Sequence, residues 1–454
     1  MRFLIIGGSD AGISAALRAR EIAPDVEVTV VLADDFPNFS ICGLPFFLSG
    51  ETPDWRQLAH RTEFSGIELM RNCTAQRLSL DQQIVEVTEN QGTTKRLRYD
   101  RLLIATGAVP IRPPIAGLNM EGVYTLHTME DSFRVHAHLN RGAGSALIIG
   151  SGYIGLEMAD ALIHRGMKVT LVGRSEAVLP TVDHDFGKIV EAQLEQWGVS
   201  VHSDVSATGI ERNGTRLVVH GSNGFQAETE LVLVGAGVIP NSRLASEVGI
   251  EVGYKNAIRV NRRMETSQSN VFAAGDCAET WHRVLQRNVY LPLGTTSHKQ
   301  GRIAGENAMG GNRQFAGSLG TQIVKVFDLA IGRTGLRQNE AREAGFSPVT
   351  ATATSFDHKV YYPGARKIQT KITGDGETGR LLGAQMIGHW QACVAKRIDV
   401  FATAVFHKMG VEDLNDLDLS YTPPLGSPWD VVQSAAQSWA KAVPSAEIQT
   451  LRKT

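Results

Sequence analysis

Cysteine is scarce in this chain: four among 454 residues, Cys42, Cys73, Cys277 and Cys393, widely separated and without a CxxC pair. That spacing argues against a disulfide scaffold and against a zinc site, and no other metal is expected. An excess of charge is missing too. Lys and Arg number 45 against 47 Asp and Glu, a formal net charge of −2. With no basic stripe to neutralise a phosphate backbone, nucleic acid is not an expected partner. No run approaches the ~20 apolar residues of a membrane span. The opening MRFLIIGG is too short in its apolar part for a signal peptide. A soluble, cytoplasmic protein without a membrane partner is expected. Hydrophobic residues make up 43% of the chain, which excludes disorder. At roughly 150 residues per domain, the length implies about three domains.

Glycine, by contrast, is abundant: 46 residues, about a tenth of the chain against the usual ~7%. No Gly-X-Y period accompanies it, so collagen is excluded, and the glycines belong in turns and close backbone approaches. Short apolar runs ending in glycine recur: Phe3-Leu-Ile-Ile6 before Gly7, Ala146-Leu-Ile-Ile149 before Gly150, and Leu231-Val-Leu-Val234 before Gly235. Each reads as a strand buried on both faces, the pattern of a parallel sheet. The first two lead into helix-forming stretches at 13–22 and 154–164, giving two βαβ units and hence two dinucleotide-binding domains. After about residue 320 the character changes. Strand-like runs at 321–326 and 367–372 precede a long helical stretch at 391–409, with no glycine-rich turn. This reads as a third, α+β domain, with a boundary near Gly310-Gly311-Asn312 and a loose tail at 448–454.

Gly150-x-Gly152-x-x-Gly155 follows a strand and opens a helix, the context a dinucleotide fingerprint requires. The first glycine permits the turn, the second admits a pyrophosphate to the backbone amides, and the third lets helix and strand pack closely. The helix N-terminus favours the negative charge. The first unit departs from the pattern: Gly7-Gly8-Ser9-Asp10-Ala11-Gly12 carries Ser9 in place of the middle glycine. Leu32 occupies the usual place of the ribose-binding acid, so Asp34 or Asp35 is expected to take that role. In the second unit the strand Lys168–Val172 ends in Gly173-Arg174-Ser175. The acid that suits NAD is absent there, and a forked cation suited to a 2′-phosphate is present. NADPH is the expected nucleotide, with NADH the alternative.

Two further stretches complete the pattern. Ala105-Thr106-Gly107-Ala108-Val109-Pro110 follows the run 101–104, and Phe272-Ala-Ala-Gly275-Asp276 follows Asn270-Val271. With the two turns, in this order, the whole chain resembles the pyridine nucleotide-disulfide oxidoreductases. The resemblance implies an α/β fold with two Rossmann-like domains, the NAD(P)-binding one inserted in the FAD-binding one, followed by a C-terminal α+β dimerisation domain. The expected ranges are 1–115 with 246–320 for FAD, 116–245 for NAD(P)H and 321–454 for dimerisation. By resemblance Asp276 meets the ribityl chain of FAD, and Gly237, Thr295 and Thr296 join the cofactor contacts with Ile154 and Ala11. His298 and Lys299 fall on the helix at the flavin's edge. Tyr153 gates the nicotinamide pocket, and Glu157 lies near the nicotinamide.

Cys42 stands in Ser40-Ile41-Cys42-Gly43-Leu44-Pro45-Phe46-Phe47. Relatives of the glutathione reductase type carry a second cysteine five residues on, where this chain has Phe47, so no internal dithiol forms. The segment is similar to that of the one-cysteine branch: coenzyme A disulfide reductases, persulfide reductases, NADH oxidases and peroxidases. Tyr361-Tyr362-Pro363-Gly364 and Tyr421-Thr422-Pro423-Pro424 resemble segments that, in coenzyme A disulfide reductases, bring tyrosines from a partner subunit to the active cysteine. The resemblance thus implies a homodimer whose second subunit completes the site, with Cys42, Tyr421 and Tyr361 acting on a small thiol or disulfide such as coenzyme A disulfide. Oxidases and peroxidases of this branch carry a histidine in the first turn, where this chain has Asp10. A carboxylate there disfavours a neighbouring thiolate or sulfenate. Thiol chemistry is therefore the expected activity, and an NAD(P)H oxidase or a flavin-dependent redox partner of another protein are the alternatives.

Cys42 must react as a thiolate, and Pro45 with the aromatics suits a helix start that lowers a thiol pKa. Arg18 and Arg20 on the first helix are candidate contacts for coenzyme A phosphates, set against the simpler reading of a solvated face. Cys73, Cys277 and Cys393 read as structural.

Overall fold

Apolar runs of four or five residues, too short to be helices, assemble into parallel sheets. The computed structural model describes residues 1–443, so the expected tail at 448–454 lies outside the described residues. Two compact units emerge: Met1–Ala143 with Leu233–His282 and Gln286–Ser318, and Gly144–Val232 with Arg283–Leu285 and the described residues 319–443. The units part at Ser318, a few residues beyond the glycines at 310–311.

The first unit is built on a five-stranded parallel sheet. Its order is Val271–Ala273, Arg101–Ile104, Arg2–Ile6, Glu27–Val31, Ile67–Met70. Phe3, Ile5, Leu102, Leu103 and Ile104 are fully buried, which is why these strands lack a polar face. Because Arg2–Ile6 is central, the connection through helix Asp10–Ile22 leaves on one side and later strands add on the other. The switch point, where such sheets bind ligands, therefore lies at the end of Ile6. The helix Gly294–Ala308 packs against Asp10–Ile22. A Cβ on Gly301 would stand 2.1 Å from the Ala11 carbonyl oxygen, and one on Gly305 2.3 Å from that of Ala15. This approach needs glycine at both places. A three-stranded antiparallel sheet, Cys73–Ser79, Ile84–Glu89 and Thr94–Arg98, completes the unit.

The second unit holds parallel strands in the order Ser200–His202, Lys168–Val172, Ser145–Ile149. Beside them lies a small antiparallel sheet, Ala207–Asn213, Arg216–Gly221 and Gln226–Thr229. Its C-terminal part is a five-stranded antiparallel sheet, in the order Gln322–Val326, Leu329–Gly335, Leu381–His389, Lys367–Asp375, Pro348–Phe356. Helices Val394–Phe406 and Val431–Ala442 cover it and bury Ile368, Ile372, Leu381, Phe401 and Val432. Trp439 lies over Gly374, where a Cβ would stand 2.6 Å from the indole, and its Nε1–H donates to the Val349 carbonyl at 2.9 Å.

The expected helix at 391–409 is shorter than its sequence implied. A 3₁₀ turn, Trp390–Ala392, is separated from helix Val394–Phe406 by Cys393 in the left-handed region, φ 58. Lys408, also at φ 58, ends it. Cys393 is exposed rather than embedded, a correction to its reading as a structural thiol; Cys73 and Cys277 are buried as expected. Among the described residues, no helix is long and apolar enough to cross a membrane.

Candidate active site

The first glycine turn is closed by its own geometry. Gly7 has φ +114, and a Cβ on it would stand 2.0 Å from the Ala105 carbonyl oxygen. One on Gly12 would stand 1.9 Å from the Gly7 carbonyl oxygen. The Gly7 N–H donates to Val31 and the Ala105 N–H to Ile6, so Gly7, Ala105 and Gly12 meet at the ends of adjacent strands. Ser9, in place of the middle glycine, is the N-cap of helix Asp10–Ile22, with Ala11 and Gly12 in its first turn. Leu32, where an acid is usual, is buried beneath Gly8. Beyond it, an Asp34 oxygen accepts the Phe36 N–H at 3.0 Å, and Asp35 pairs with Arg71 at 3.4 Å.

The Gly275-Asp276 turn comes to the same place. Gly275 has φ +83, and its N–H donates to the fully buried Gln300, whose amide nitrogen donates in turn to Glu279 and Thr280. Asp276 accepts the Ser297 hydroxyl at 2.9 Å. Burial raises the Asp276 carboxyl pKa, the Ser297 bond opposes that rise, and the charge of Asp10 adds to it. Nearby, the Tyr290 hydroxyl is buried with no hydrogen-bond partner among the described residues. Burial and then Asp276 push it upward. Thr106 donates to the Asn241 carbonyl at 2.6 Å. Gly107, φ +68, accepts from the Asn241 N–H, and Gly237, φ +101, accepts from the Ile111 N–H. Thr295 is exposed, whereas Thr296 is buried and donates to Ser318.

A turn that excludes any Cβ, a carboxylate at the switch point and an orphaned buried hydroxyl beside it fit FAD. Gly7, Gly12, Asp276 and Tyr290 line this place. Gln300, Ser297 and Tyr290 escaped sequence reasoning. The only signal was a neutral glutamine among the small residues of 294–308, too common in helices to single out.

Asp10 also has company. The His298 Nε2 stands 3.5 Å from its Oδ1, and the His298 Nδ1 is 2.9 Å from the Ser14 hydroxyl. Arg18 and Arg20 are committed elsewhere. Arg18 pairs with Glu306 at 2.7 Å and Glu21 at 2.9 Å, and Arg20 donates to the Pro24 and Val26 carbonyls while lying against Gly66. Both guanidinium groups are thus engaged within the first unit.

Cys42 is exposed, in the 3₁₀ turn Ile41–Gly43 ahead of helix Leu44–Ser49. That helix has six residues, with proline in its first turn. Phe46 is exposed, but Phe47 is buried, its ring 4.7 Å from that of His136 and 6.2 Å from that of Phe133. The position where a second cysteine would stand is thus part of an aromatic core that includes Phe36 and Trp55.

In the second unit, Gly150 has φ +120, and a Cβ on Gly155 would stand 1.9 Å from the Gly150 carbonyl oxygen. The first turn's contact between its end glycines is repeated almost to the decimal. Gly152 caps helix Tyr153–His164, and Ile154 is exposed on it. Gly173 has a packing reason as well, since a Cβ there would stand 2.3 Å from the Ser151 hydroxyl oxygen. Arg174 is exposed with no ion-pair partner among the described residues, and the Ser175 carbonyl accepts from Asp204. The Tyr153 hydroxyl is pushed up by burial and accepts from Thr181 at 3.4 Å. On the next turn of the helix, Glu157 is raised to about 7 by burial and by the charge of Asp160.

Tyr361 and Tyr421, far apart in sequence, meet. Their hydroxyls hydrogen-bond, which raises Tyr361, and the Lys359 N–H donates to the Pro423 carbonyl. Around them the C-terminal part exposes Val360, Tyr362, Leu425 and Trp429.

Comparison with known proteins gives this geometry its context. The family model described as "Pyridine nucleotide-disulphide oxidoreductase" matches residues 1–301, and the corresponding "dimerisation domain" matches 321–431. The chain is 37% identical to a CoA-dependent NAD(P)H sulfur oxidoreductase of Pyrococcus furiosus, over 94% of this chain and 97% of that one. It is 31% identical to an NADH oxidase of Methanocaldococcus jannaschii, over 97% and 99%. The structure of an NAD-dependent persulfide reductase from A. fulgidus superposes with a TM-score of 0.93 at 35% identity, covering 96% of this chain and 82% of that one. With two parallel sheets, each ending in a glycine turn closed to any Cβ, and an antiparallel C-terminal sheet, the chain belongs to the pyridine nucleotide-disulphide oxidoreductases, a family of flavin-dependent NAD(P)H oxidoreductases.

Proposed function

We propose that this enzyme reduces a small disulfide or persulfide, of the coenzyme A disulfide kind, at the expense of NAD(P)H through the single cysteine Cys42. One observation carries the reading. Among the three cysteines of the first unit, only Cys42 is exposed, and the place of a resolving partner is filled by the buried Phe47. In this reading the first unit holds FAD through Gly7, Ser9, Asp10, Ala11, Gly12, Asp34, Ala105, Thr106, Gly107 and Asp276. The turn at Gly150, Gly152 and Gly155 holds the nicotinamide nucleotide, with Tyr153 and Glu157 beside its ring. Bound FAD supplies the two-electron link between nicotinamide and sulfur.

The chain's own residues do the rest. The Cys42 thiolate attacks one sulfur of the substrate, forming a mixed disulfide and releasing the other sulfur as a thiolate, which takes a proton. The full cycle consumes one disulfide, one NAD(P)H and one proton and yields two thiols and NAD(P)+. In a homodimer the Tyr361–Tyr421 pair is brought to the cysteine of the second copy, where the hydroxyls stabilise the departing thiolate by donating to it. Arg174, exposed and without an ion-pair partner among the described residues, supports NADPH as the preferred nucleotide. The location is cytoplasmic, where thiols stay reduced.

Anaerobic oxidation of NADPH with coenzyme A disulfide, glutathione disulfide and a persulfide tests the substrate class. Turnover with the first or third and not the second is expected; turnover with none overturns the reading. A second reading has an observation of its own. The imidazole missing at position 10 is present at His298, 3.5 Å from Asp10, which suits an NAD(P)H oxidase. That reading requires consumption of NAD(P)H in air without any disulfide, and its loss in His298→Ala.

A further inference from the structure

The loop between strand Lys168–Val172 and helix His184–Gln196 is held by strand Leu329–Gly335 and by the start of helix Gln338–Glu343, in the same unit. Arg337 donates to the carbonyls of both Pro180 and Val182, at 3.0 and 2.9 Å. Arg333 donates to the carbonyl between them, Thr181, at 2.5 Å. Three consecutive carbonyls are thereby taken by two guanidinium groups. Between those groups lies Glu340, accepting from Arg333 at 2.8 Å, from Arg337 at 3.0 and 3.1 Å, and from the Arg337 N–H at 2.9 Å. Burial alone would raise this carboxyl, but the two arginines hold it at about 2. It therefore stays anionic, and the charge-assisted bonds stay made. The next residue, Asp183, is fixed as well: its N–H donates to Gln385 at 2.7 Å and its carboxylate pairs with Lys371 at 3.2 Å. At its other end the loop is tied to the glycine turn, since the Leu179 N–H donates to the Ser151 carbonyl at 2.8 Å.

Such a cage is more than packing of one segment on another needs. A buried ion cluster adds little net stability compared with apolar side chains of the same size, and its better-attested use is to fix one arrangement among several. What this cage fixes is Thr181, whose hydroxyl donates to the Tyr153 hydroxyl at 3.4 Å.

We propose that Arg333, Arg337 and Glu340 are positioning residues for the nicotinamide nucleotide. They lock the 180–182 loop so that Thr181 holds the Tyr153 ring in a single orientation beside the bound dinucleotide. This rests on the reading of Tyr153 as a neighbour of that nucleotide, and it extends the site onto strand Leu329–Gly335 and helix Gln338–Glu343.

The test is equilibrium binding of NADP+ and of NAD+ to the FAD-loaded enzyme by calorimetry, which needs no turnover. Wild type is compared with Thr181→Val, Glu340→Gln, Tyr153→Phe and the double variant Thr181→Val/Tyr153→Phe. Thr181→Val is expected to weaken binding by about threefold to tenfold, the worth of one hydrogen bond, and Glu340→Gln by at least as much. In the Tyr153→Phe background Thr181→Val has no further effect, a coupling that a merely structural role does not produce. Unaltered binding by Thr181→Val, or equal weakening with and without the tyrosine hydroxyl, overturns the proposal. Thr181→Val removes one hydroxyl, so the test stands even if Glu340→Gln fails to fold. Binding of neither nucleotide by wild type overturns the reading beneath the proposal, and the proposal with it.

Discussion

At the scale of single residues, chemistry here follows from environment more than from residue type. Glu157 shows this. Burial and the neighbouring Asp160 raise its carboxyl to about 7, so the folded chain binds that proton more tightly than the unfolded chain does. The stability it contributes is complete below the ordinary carboxyl range and is lost as pH rises through about 7. Glu157→Gln is therefore expected to raise unfolding stability by roughly 1–3 kcal/mol at about pH 8.5 and to change it little near pH 5. Chemical denaturation at the two pH values checks this; an equal effect at both contradicts it. The cysteines make the same point. Cys277 is buried, its thiol within 3.4 Å of the Ile104 and Ala274 carbonyls and pushed up by desolvation, whereas Cys42 is exposed. Alkylation of the folded enzyme is expected at Cys42 and Cys393 and not at Cys73 or Cys277, as peptide mass mapping would show. Labelling of Cys277 ahead of Cys42 would contradict the assignment.

At the scale of elements, two strand–turn–helix units carry the same closed geometry in different sheets. A Cβ at Gly12 or at Gly155 would fall 1.9 Å from the carbonyl oxygen of the glycine that opens its own turn. The account separates them by ligand. Gly12→Ala is expected to weaken retention of FAD by about tenfold or more, while Gly155→Ala keeps the flavin and weakens the nicotinamide nucleotide by a similar factor. Flavin absorbance after gel filtration and nucleotide titration check the pair; loss of flavin in Gly155→Ala would contradict it. These turns were legible in the sequence because a glycine pattern flanked by an apolar run and a helix is local information. Phe47 was legible for the same reason, as the one position that decides between a dithiol and a lone thiol. What could not be read was long-range. Gln300 finds Gly275 across 25 residues, and Arg333 finds Thr181 across 152, and no periodicity encodes such partners. The helix at 391–409 was overestimated because Cys393 and Lys408 take left-handed backbone with no glycine to announce it.

At the scale of the whole molecule, the C-terminal part exposes Tyr361 (74%), Val360 (63%), Leu425 (78%) and Trp429 (54%). Apolar exposure on this scale marks a surface that is covered in use, and the matched dimerisation model falls on the same segment. Light scattering is expected to give a homodimer, and Leu425→Asp with Trp429→Asp a monomer with disulfide reduction lost; a fully active monomer would contradict completion of the site by a second copy. The central claim is that electrons from NAD(P)H leave through one sulfur. Its most direct test is anaerobic NADPH oxidation with coenzyme A disulfide by wild type and by Cys42→Ser, with FAD content matched. The account predicts turnover in wild type and a loss of at least about a thousandfold in the variant. Turnover that survives in Cys42→Ser, or that appears in wild type only when air is admitted, would contradict it.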